Sequence, residues 1–211
     1  TISIILVLTV IHATNIFYSS LNDQKKELKL IEIKKGMGLS EISLLLLQKK
    51  IINHRYIFNI QIIIRGSSSK LRVGNYELSP SMTQNKIYKT LIHGNVATRS
   101  VTIPEGFTVK MIAEKLEKNK ITRKQDFMRL SGDKEFISSL GLKVPSLEGY
   151  LFPDTYSLRI KMAPELVLKK MLQNLNKKIS PEIKIKIKNQ RNTLHKVLTL
   201  ASIIEKETSI P

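Results

Sequence analysis

The sequence predicts an α+β protein with an N-terminal transmembrane helix, a small βααβ module and a mixed α/β domain. Three observations support this. Residues 2–18 form an apolar run without any Asp, Glu, Lys or Arg. A strand–turn–helix pattern occurs twice in the 211 residues, and 42% of all residues are hydrophobic, as in ordinary globular domains.

The apolar run is at the short end of what spans a bilayer as a helix. A buried core helix and the apolar region of a signal peptide are the alternatives, but no small-residue cleavage motif follows. Lys25 and Lys26 come just after the run, where the positive-inside tendency favours the cytoplasm. Because long domains cross largely regardless of charge, we expect a single-pass anchor over residues 1–20 and a linker over 21–29.

The repeated pattern aligns Gly36 with Gly106, an offset of 70 residues. Apolar helix positions then coincide without a gap, and so does a Lys-Ile pair that follows each helix: Leu39 with Val109, Ile42 with Ile112, Leu46 with Leu116 and Lys50-Ile51 with Lys120-Ile121. Chance similarity between amphipathic helices is the alternative. The repeat predicts strand–turn–helix units at 31–52 and 101–121, with both glycines at positive φ. We expect domains at 30–98 and 99–211.

Other segments follow helix and strand periodicity. Ser40 is the expected N-cap of the first helix, Thr83 caps another helix, and Gly94 ends it. Residues 56–65 are apolar and fit either a helix or a strand. Further helices are predicted at 126–140, 163–177, 179–192 and 193–208.

The charge is strongly basic: 35 Lys and Arg against 17 Asp and Glu give a net charge of +18. Such a surplus attracts nucleic acid, anionic lipid or an anionic wall polymer, although a Lys-rich composition alone would also produce it. The sequence has neither an Arg-rich helix nor an RNP-type aromatic motif, which argues against nucleic acid. There is no Cys, and the four His are dispersed, so no metal site and no cofactor are expected.

The predicted helix at 193–208 is apolar around most of its circumference, which is typical of a buried helix. It ends in Glu205-Lys206-Glu207-Thr208. A carboxylate at the rim of a buried helix has a raised pKa and can act as a general acid. The two glutamates lie about 200° apart around the helix, so they do not face one pocket. A solvated helix end is the alternative for both.

Two motifs carry a resemblance to a known family. Residues 201–208 (ASIIEKET) and 147–156 (LEGYLFPDTY) are similar to signatures of the endolytic murein transglycosylases, the MltG or YceG-like family. Shorter matches occur in the same order, at Val73-Gly74-Asn75-Tyr76, Pro80-Ser81-Met82-Thr83 and Pro104-Glu105-Gly106. The resemblance implies a LysM-like module at 30–98 and, from 99 to 211, an incomplete transglycosylase domain that continues in the family beyond Pro211.

The resemblance also implies a reaction. Its catalytic residue would be Glu207, with Glu205 as the secondary candidate. One carboxyl would protonate the β-1,4 glycosidic oxygen between N-acetylmuramic acid and N-acetylglucosamine, then take the proton of the muramic C6 hydroxyl as a 1,6-anhydro ring closes. This differs from glycosidases that need two carboxylates and a water.

Four residues of the aromatic motif are candidates for substrate binding: Tyr150, Phe152 and Tyr156 by stacking on sugar rings, and Glu148 by lining the cleft. A packed turn is the alternative for the aromatics, and structural hydrogen bonding is the alternative for Glu148. The expected location is the bacterial inner membrane with the body in the periplasm. Expected partners are peptidoglycan strands and peptidoglycan synthases, without nucleic acid. A catalytically inactive, membrane-anchored module that binds glycan or the division complex is the other function that fits.

Overall fold

The computed structural model describes residues 11, 15, 27–190 and 192–208, except the side chains at 184, 188, 206 and 208, and divides into two compact units at Ala97/Thr98. The expected anchor at 1–20 and most of the linker at 21–29 lie outside the described residues. Within the described residues, no helix is long and apolar enough to cross a bilayer.

From residue 27 onward, unit 1 has a two-stranded antiparallel sheet and three helices. In chain order these are β1 (Lys29–Ile33), α1 (Leu39–Gln48), α2 (Arg55–Ile64), β2 (Gly74–Leu78) and α3 (Gln84–His93), with a short 3-10 turn at Ser68–Lys70 before β2. Ile31 lies opposite Tyr76 in the ladder. The core consists of buried side chains from every one of these helices and strands, namely Ile31, Ile33, Ile42, Leu46, Phe58, Ile62, Tyr76, Leu78, Ile87 and Leu91, together with Ile51 and Ile52.

The caps explain where the helices of unit 1 begin and end. Helix α3 starts where Thr83 Oγ1 accepts from the Lys86 N–H at 3.2 Å, and it ends at Gly94 with φ 69°, both as predicted. The prediction of Ser40 as the cap of α1 is wrong. Gly38 is the N-cap, because the Glu41 carboxylate accepts from the Gly38 N–H at 2.9 Å and already satisfies the free donor at this end.

The described residues of unit 2 form a second two-stranded antiparallel sheet and six helices. These are β3 (Thr98–Ile103), α4 (Val109–Lys118), α5 (Lys124–Ser131), α6 (Lys134–Ser139), β4 (Asp154–Arg159), α7 (Pro164–Lys178), α8 (Pro181–Asn189) and α9 (Leu194–Thr208). Val101 lies opposite Tyr156. The predicted single helix at 126–140 is divided into α5 and α6, because Asp133 caps a new helix by accepting from the Phe136 N–H at 2.8 Å. The fold is therefore mixed α+β, mostly helical with small sheets.

Helix α9 contradicts the prediction that it is a buried helix. Leu194 and Leu198 pack against the core of unit 2, whereas Leu200, Ile203 and Ile204 are more than half exposed. The described part of unit 2 contacts only one side of this helix, so an apolar circumference does not produce burial here. A hydrophobic sequence makes burial of a helix favourable, but the helix is buried only if other elements pack against each of its sides.

The repeat is confirmed at its turns. Gly36 and Gly106 have φ of 91° and 73°. Lys50 and Lys120, which end the two equivalent helices, have φ of 54° and 58°. The hydrogen bond after each helix is repeated as well, from Ile51 N to Leu46 O at 2.8 Å and from Ile121 N to Leu116 O at 2.9 Å.

The second strands of the two units are also equivalent, at an offset of 80 residues, which the repeat in the sequence did not predict. Tyr76 and Tyr156 are both buried. Each hydroxyl donates to the carbonyl four residues earlier, Tyr76 to Arg72 at 2.7 Å and Tyr156 to Phe152 at 2.5 Å. Both units thus share a strand–helix–helix–strand arrangement, to which unit 2 adds α6 before its second strand.

The two turn glycines allow a direct test. A Cβ on Gly36 would meet nothing within 4 Å, so Gly36→Ala changes only the backbone energy at φ +91°. We expect it to lower the free energy of unfolding by about 1–2 kcal/mol, the cost of a left-handed residue with a Cβ. Gly38, with open space and φ −81°, is the matched control. Gly38→Ala should cost about half as much in urea unfolding, since it only replaces a glycine N-cap by the less favourable alanine; equal costs at both positions would contradict the argument.

Candidate active site

The segment at 147–156 forms a tight loop on unit 2 just before and into β4. The Tyr150 N–H donates to Leu147 O at 3.0 Å, and Gly149 at φ 78° makes this turn possible. Leu147 is anchored in turn by donating its N–H to Ser131 O at 2.9 Å. The loop is therefore fixed by backbone bonds, with Leu147 and Tyr150 buried and Glu148 exposed between them.

The Glu148 carboxylate is hydrogen-bonded to the start of α4. Its two oxygens accept from the Val109 N–H at 3.2 and 3.1 Å. Thr108 caps the same helix by accepting from the Met111 N–H at 3.3 Å. A negative charge at a helix N-terminus is favourable because the first N–H groups lack partners and carry positive partial charge. Glu148 therefore joins the motif loop to α4.

The Tyr150 side chain belongs to the core, with 3% of its surface exposed. Its hydroxyl lies 3.2 Å from His195 Nδ1 at the start of α9, and the two rings stack with centroids 6.1 Å apart. Burial raises the pKa of the Tyr150 phenol. Tyr150 thereby connects the motif loop to the first turn of α9, the helix that carries both candidate glutamates.

Tyr156, Asn174 and Asp154 form a polar network at the base of the loop. Asn174 Nδ2 donates to Asp154 Oδ2 at 2.8 Å and to the Tyr156 hydroxyl at 3.1 Å. The Asn174 hydrogen bond and that of the Thr155 N–H lower the pKa of Asp154. Burial is the main cause of the raised pKa of Tyr156, which is 4% exposed. The equivalent bond of Tyr76 in unit 1 shows that the tyrosine hydroxyl has a structural role.

Phe152 is the one aromatic of the motif that keeps part of its ring outside the core. It is half-buried, and Lys178 Nζ lies 5.8 Å from its ring centroid. A partly exposed aromatic residue next to a cation is compatible with a sugar ring, because carbohydrates pack their C–H faces on aromatic rings and bond through their hydroxyls. Of the three aromatics predicted to bind substrate, Phe152 is the one that is not buried.

The two candidate glutamates of α9 differ in surroundings. Glu205 is half-buried and faces the turn between β3 and α4, since a Cβ on Gly106 would lie 3.9 Å from Glu205 Oε1. Glu207 is exposed on another side of the helix. The structure therefore brings Glu205 and Glu148 to the same turn region of unit 2, through Gly106 and Val109, and leaves Glu207 open to solvent.

Two residues of this region were not predicted. Asn174 and His195 hold the motif tyrosines, but neither belongs to a recognisable motif. Asn174 lies between the buried residues Met171 and Leu175 of α7, and a polar residue inside an apolar stripe is the signal that could have identified it. Within the described residues, no group of three or more His, Asp and Glu could hold a metal ion.

Comparison with known proteins places these motifs in a family. Residues 31–211 match the family model described as the YceG-like family. The chain belongs to the YceG-like family. This confirms the resemblance inferred from the E-K-E-T and aromatic motifs, both of which fall inside the matched residues.

Similar members of the YceG-like family include two curated proteins named endolytic murein transglycosylase. One, from Streptococcus pneumoniae D39, is 29% identical over 204 residues, covering 84% of this chain and 36% of the relative. The other, from Bacillus subtilis 168, is 28% identical over 196 residues, covering 85% and 54%. The chain thus spans between about a third and about half of the length of these relatives.

A solved structure is also similar. The crystal structure of a YceG-like protein from Listeria monocytogenes shares 32% sequence identity and a TM-score of 0.46, covering 86% of this chain and 64% of that one.

The link between Glu148 and α4 predicts a modest effect on stability. Glu148→Ala removes the acceptor for the Val109 N–H, and we expect a loss of about 1 kcal/mol of unfolding free energy. Glu148→Gln should cost about half as much, since it keeps one acceptor oxygen but loses the charge. Glu105 is exposed and serves as the control; Glu105→Ala should change thermal unfolding little, and an equal loss there would refute the role of Glu148.

Proposed function

We propose that the chain is an endolytic lytic transglycosylase of peptidoglycan. It cleaves the β-1,4 bond between N-acetylmuramic acid and N-acetylglucosamine and leaves 1,6-anhydro-muramic ends. The observation that carries the proposal is the YceG-like match over residues 31–211, which includes the E-K-E-T run and has relatives named endolytic murein transglycosylase.

In the proposed mechanism Glu207 acts first as acid and then as base. Its protonated carboxyl donates to the glycosidic oxygen as the C1–O4 bond breaks, and N-acetylglucosamine leaves with a free 4-hydroxyl. The muramic C6 hydroxyl then attacks C1, and the Glu207 carboxylate takes its proton. No water is consumed, and the carboxyl is restored. The exposure of Glu207 leaves its carboxylate free to meet a polymeric substrate.

The motif loop would support this reaction in two ways. We assign Phe152 to contact with a sugar ring, because part of its ring is exposed. Tyr150 and Tyr156 are positioning residues whose hydroxyls hold the loop, and Glu148 fastens it to α4. Glu205, which faces the β3–α4 turn, would orient the end of α9 and is the secondary catalytic candidate.

The location and partners belong to the same proposal. Residues 1–20 would anchor the chain in the bacterial inner membrane, with both units in the periplasm and unit 1 acting as a LysM-like glycan-holding module. Peptidoglycan synthases are the partner class that would supply nascent strands. The apolar run at 2–18 and the basic charge, which suits an anionic wall or membrane, support this arrangement.

The proposal is tested by incubating the purified protein with uncrosslinked glycan strands and analysing chain ends by mass spectrometry. A lytic transglycosylase gives internal cuts with 1,6-anhydro ends that are lighter by one water than the reducing ends left by a hydrolase. Reducing ends would overturn the mechanism and leave a glycosidase.

A second function, a membrane-anchored glycan-binding module without turnover, is favoured by one observation. Helix α9 has one side uncovered, so the described residues around Glu207 do not enclose a substrate. Saturable co-sedimentation with glycan strands, without any new chain ends, would establish binding in place of catalysis.

A further inference from the structure

Helix α2 of unit 1 carries an exposed apolar face, which we call the α2 stripe. It consists of Tyr56, Ile60, Ile63 and Ile64, which are 71%, 54%, 59% and 74% exposed. Their spacing of four, three and one residues puts them on one side of the helix. The opposite side holds Phe58 and Ile62, which are fully buried. The α2 stripe therefore contributes nothing to the core of unit 1.

Comparison of the two repeated units shows that the strand–helix–helix–strand arrangement does not need apolar residues at the positions of the α2 stripe. Helix α5 of unit 2 is the equivalent of α2 at an offset of 69, with Phe127 buried where Phe58 is buried. The positions that correspond to the α2 stripe are polar or glycine in unit 2, namely Gln125, Arg129, Gly132 and Asp133. Unit 2 thus has the usual solvated face, and unit 1 has a contiguous apolar one, which is typical of an interaction surface.

The segment of chain that carries the α2 stripe has charged residues of one sign only. From residue 42 to residue 76 the sequence contains six Lys and Arg and no Asp or Glu. The Arg55 guanidinium lies 5.1 Å from the centroid of the Tyr56 ring at one end of the stripe. At the other end Arg65 lies 4.9 Å from the Tyr88 ring. Lys49, Lys50 and Lys70 are exposed.

This charge distribution disfavours a second copy as the occupant. Two copies docked through the same stripe would bring two basic surfaces together, and like charges oppose such a contact.

We propose that the α2 stripe lies on the surface of an anionic phospholipid bilayer. An amphipathic helix binds in this way when apolar side chains enter the acyl boundary and cations meet the lipid phosphates. Tyr56 would sit at the headgroup level, which suits its ring and hydroxyl. The surface holds unit 1 flat on the membrane, independently of any reaction on glycan.

The absence of cysteine from the sequence makes a site-specific test possible. Ile63→Cys in the full chain is labelled with an environment-sensitive fluorophore and mixed with vesicles of phosphatidylglycerol and phosphatidylcholine, or of phosphatidylcholine alone. We expect a blue shift and protection from an aqueous quencher with the anionic vesicles only. Lys89→Cys, at an exposed position of α3, is the matched control and should show neither change.

Salt and a second variant complete the test. Contact should weaken at least about tenfold between 0.1 and 1 M salt, because the Debye length falls from about 10 Å to about 3 Å. Ile60→Ser with Ile64→Ser should abolish the blue shift while circular dichroism stays unchanged, since both residues are exposed. Sedimentation with vesicles measures binding of the whole chain, including any anchoring by residues 2–18, whereas the label reports only contact of the α2 stripe with lipid.

Three outcomes would overturn the proposal. The label could stay exposed with anionic vesicles, or it could respond equally to phosphatidylcholine alone. It could also become protected without lipid as protein concentration rises, which would identify a second copy as the occupant. None of these outcomes depends on turnover of glycan, so the proposed glycan reaction is tested separately by the chain-end assay.

Discussion

Glu207→Gln should lower the formation of 1,6-anhydro-muramic ends by at least about 100-fold, the usual scale for losing a general acid–base residue. The amide keeps the size of the side chain but neither donates an acidic proton nor recaptures one. Because Glu207 is exposed at the end of α9, the substitution should leave folding unchanged. The measurement is product formation per mole of enzyme from purified glycan strands, with the substitution made in the full natural protein.

Glu205→Gln is the matched control, two residues away on the same helix. Its side chain faces the β3–α4 turn and lies about 200° around the helix from that of Glu207. We expect a reduction below about tenfold, caused by a small shift of the helix end. If Glu205→Gln abolished turnover and Glu207→Gln left it near that of the unchanged protein, Glu205 would be the catalytic residue.

The sequence predicted those parts of the fold that depend on local chemistry. Gly36 and Gly106 were identified because a strand–glycine–helix pattern needs positive φ at a tight turn, and both glycines have it. Thr83 and Gly94 were identified for the same reason, since caps depend on a few adjacent residues. The family was recognisable because its motifs are contiguous in sequence.

Features that depend on distant neighbours were missed. Strand β4 was not predicted because Pro153 and the motif aromatics suggested a packed turn, although Tyr156 and Leu158 alternate with exposed residues as in a strand. The prediction that α9 is buried was wrong because the sequence of the helix does not indicate which elements surround it. Likewise, the contact of Glu148 with Val109 joins residues 39 positions apart. Neither residue type nor spacing indicates such a pair.

Phe127→Ala should be among the most destabilising substitutions in unit 2, with a loss of about 3–5 kcal/mol of unfolding free energy. Its ring is fully buried in the core of unit 2, to which the motif loop residues Leu147 and Tyr150 also belong. Removing it deletes apolar contacts and leaves a cavity that a close-packed core fills only in part. Phe58→Ala should cost a similar amount in unit 1, because Phe58 occupies the equivalent position and is equally buried.

Hydrogen exchange read separately over residues 27–97 and 98–190 distinguishes the two variants. If each Phe belongs to the core of its own unit, Phe127→Ala should speed exchange mainly in unit 2 and Phe58→Ala mainly in unit 1. Tyr56→Ala is the control, since this ring lies two residues from Phe58 but is 71% exposed, and it should cost no more than about 0.5 kcal/mol. A loss for Tyr56→Ala as large as that for Phe58→Ala would mean that the α2 stripe is packed in solution, and it would also contradict the placement of that stripe on a bilayer.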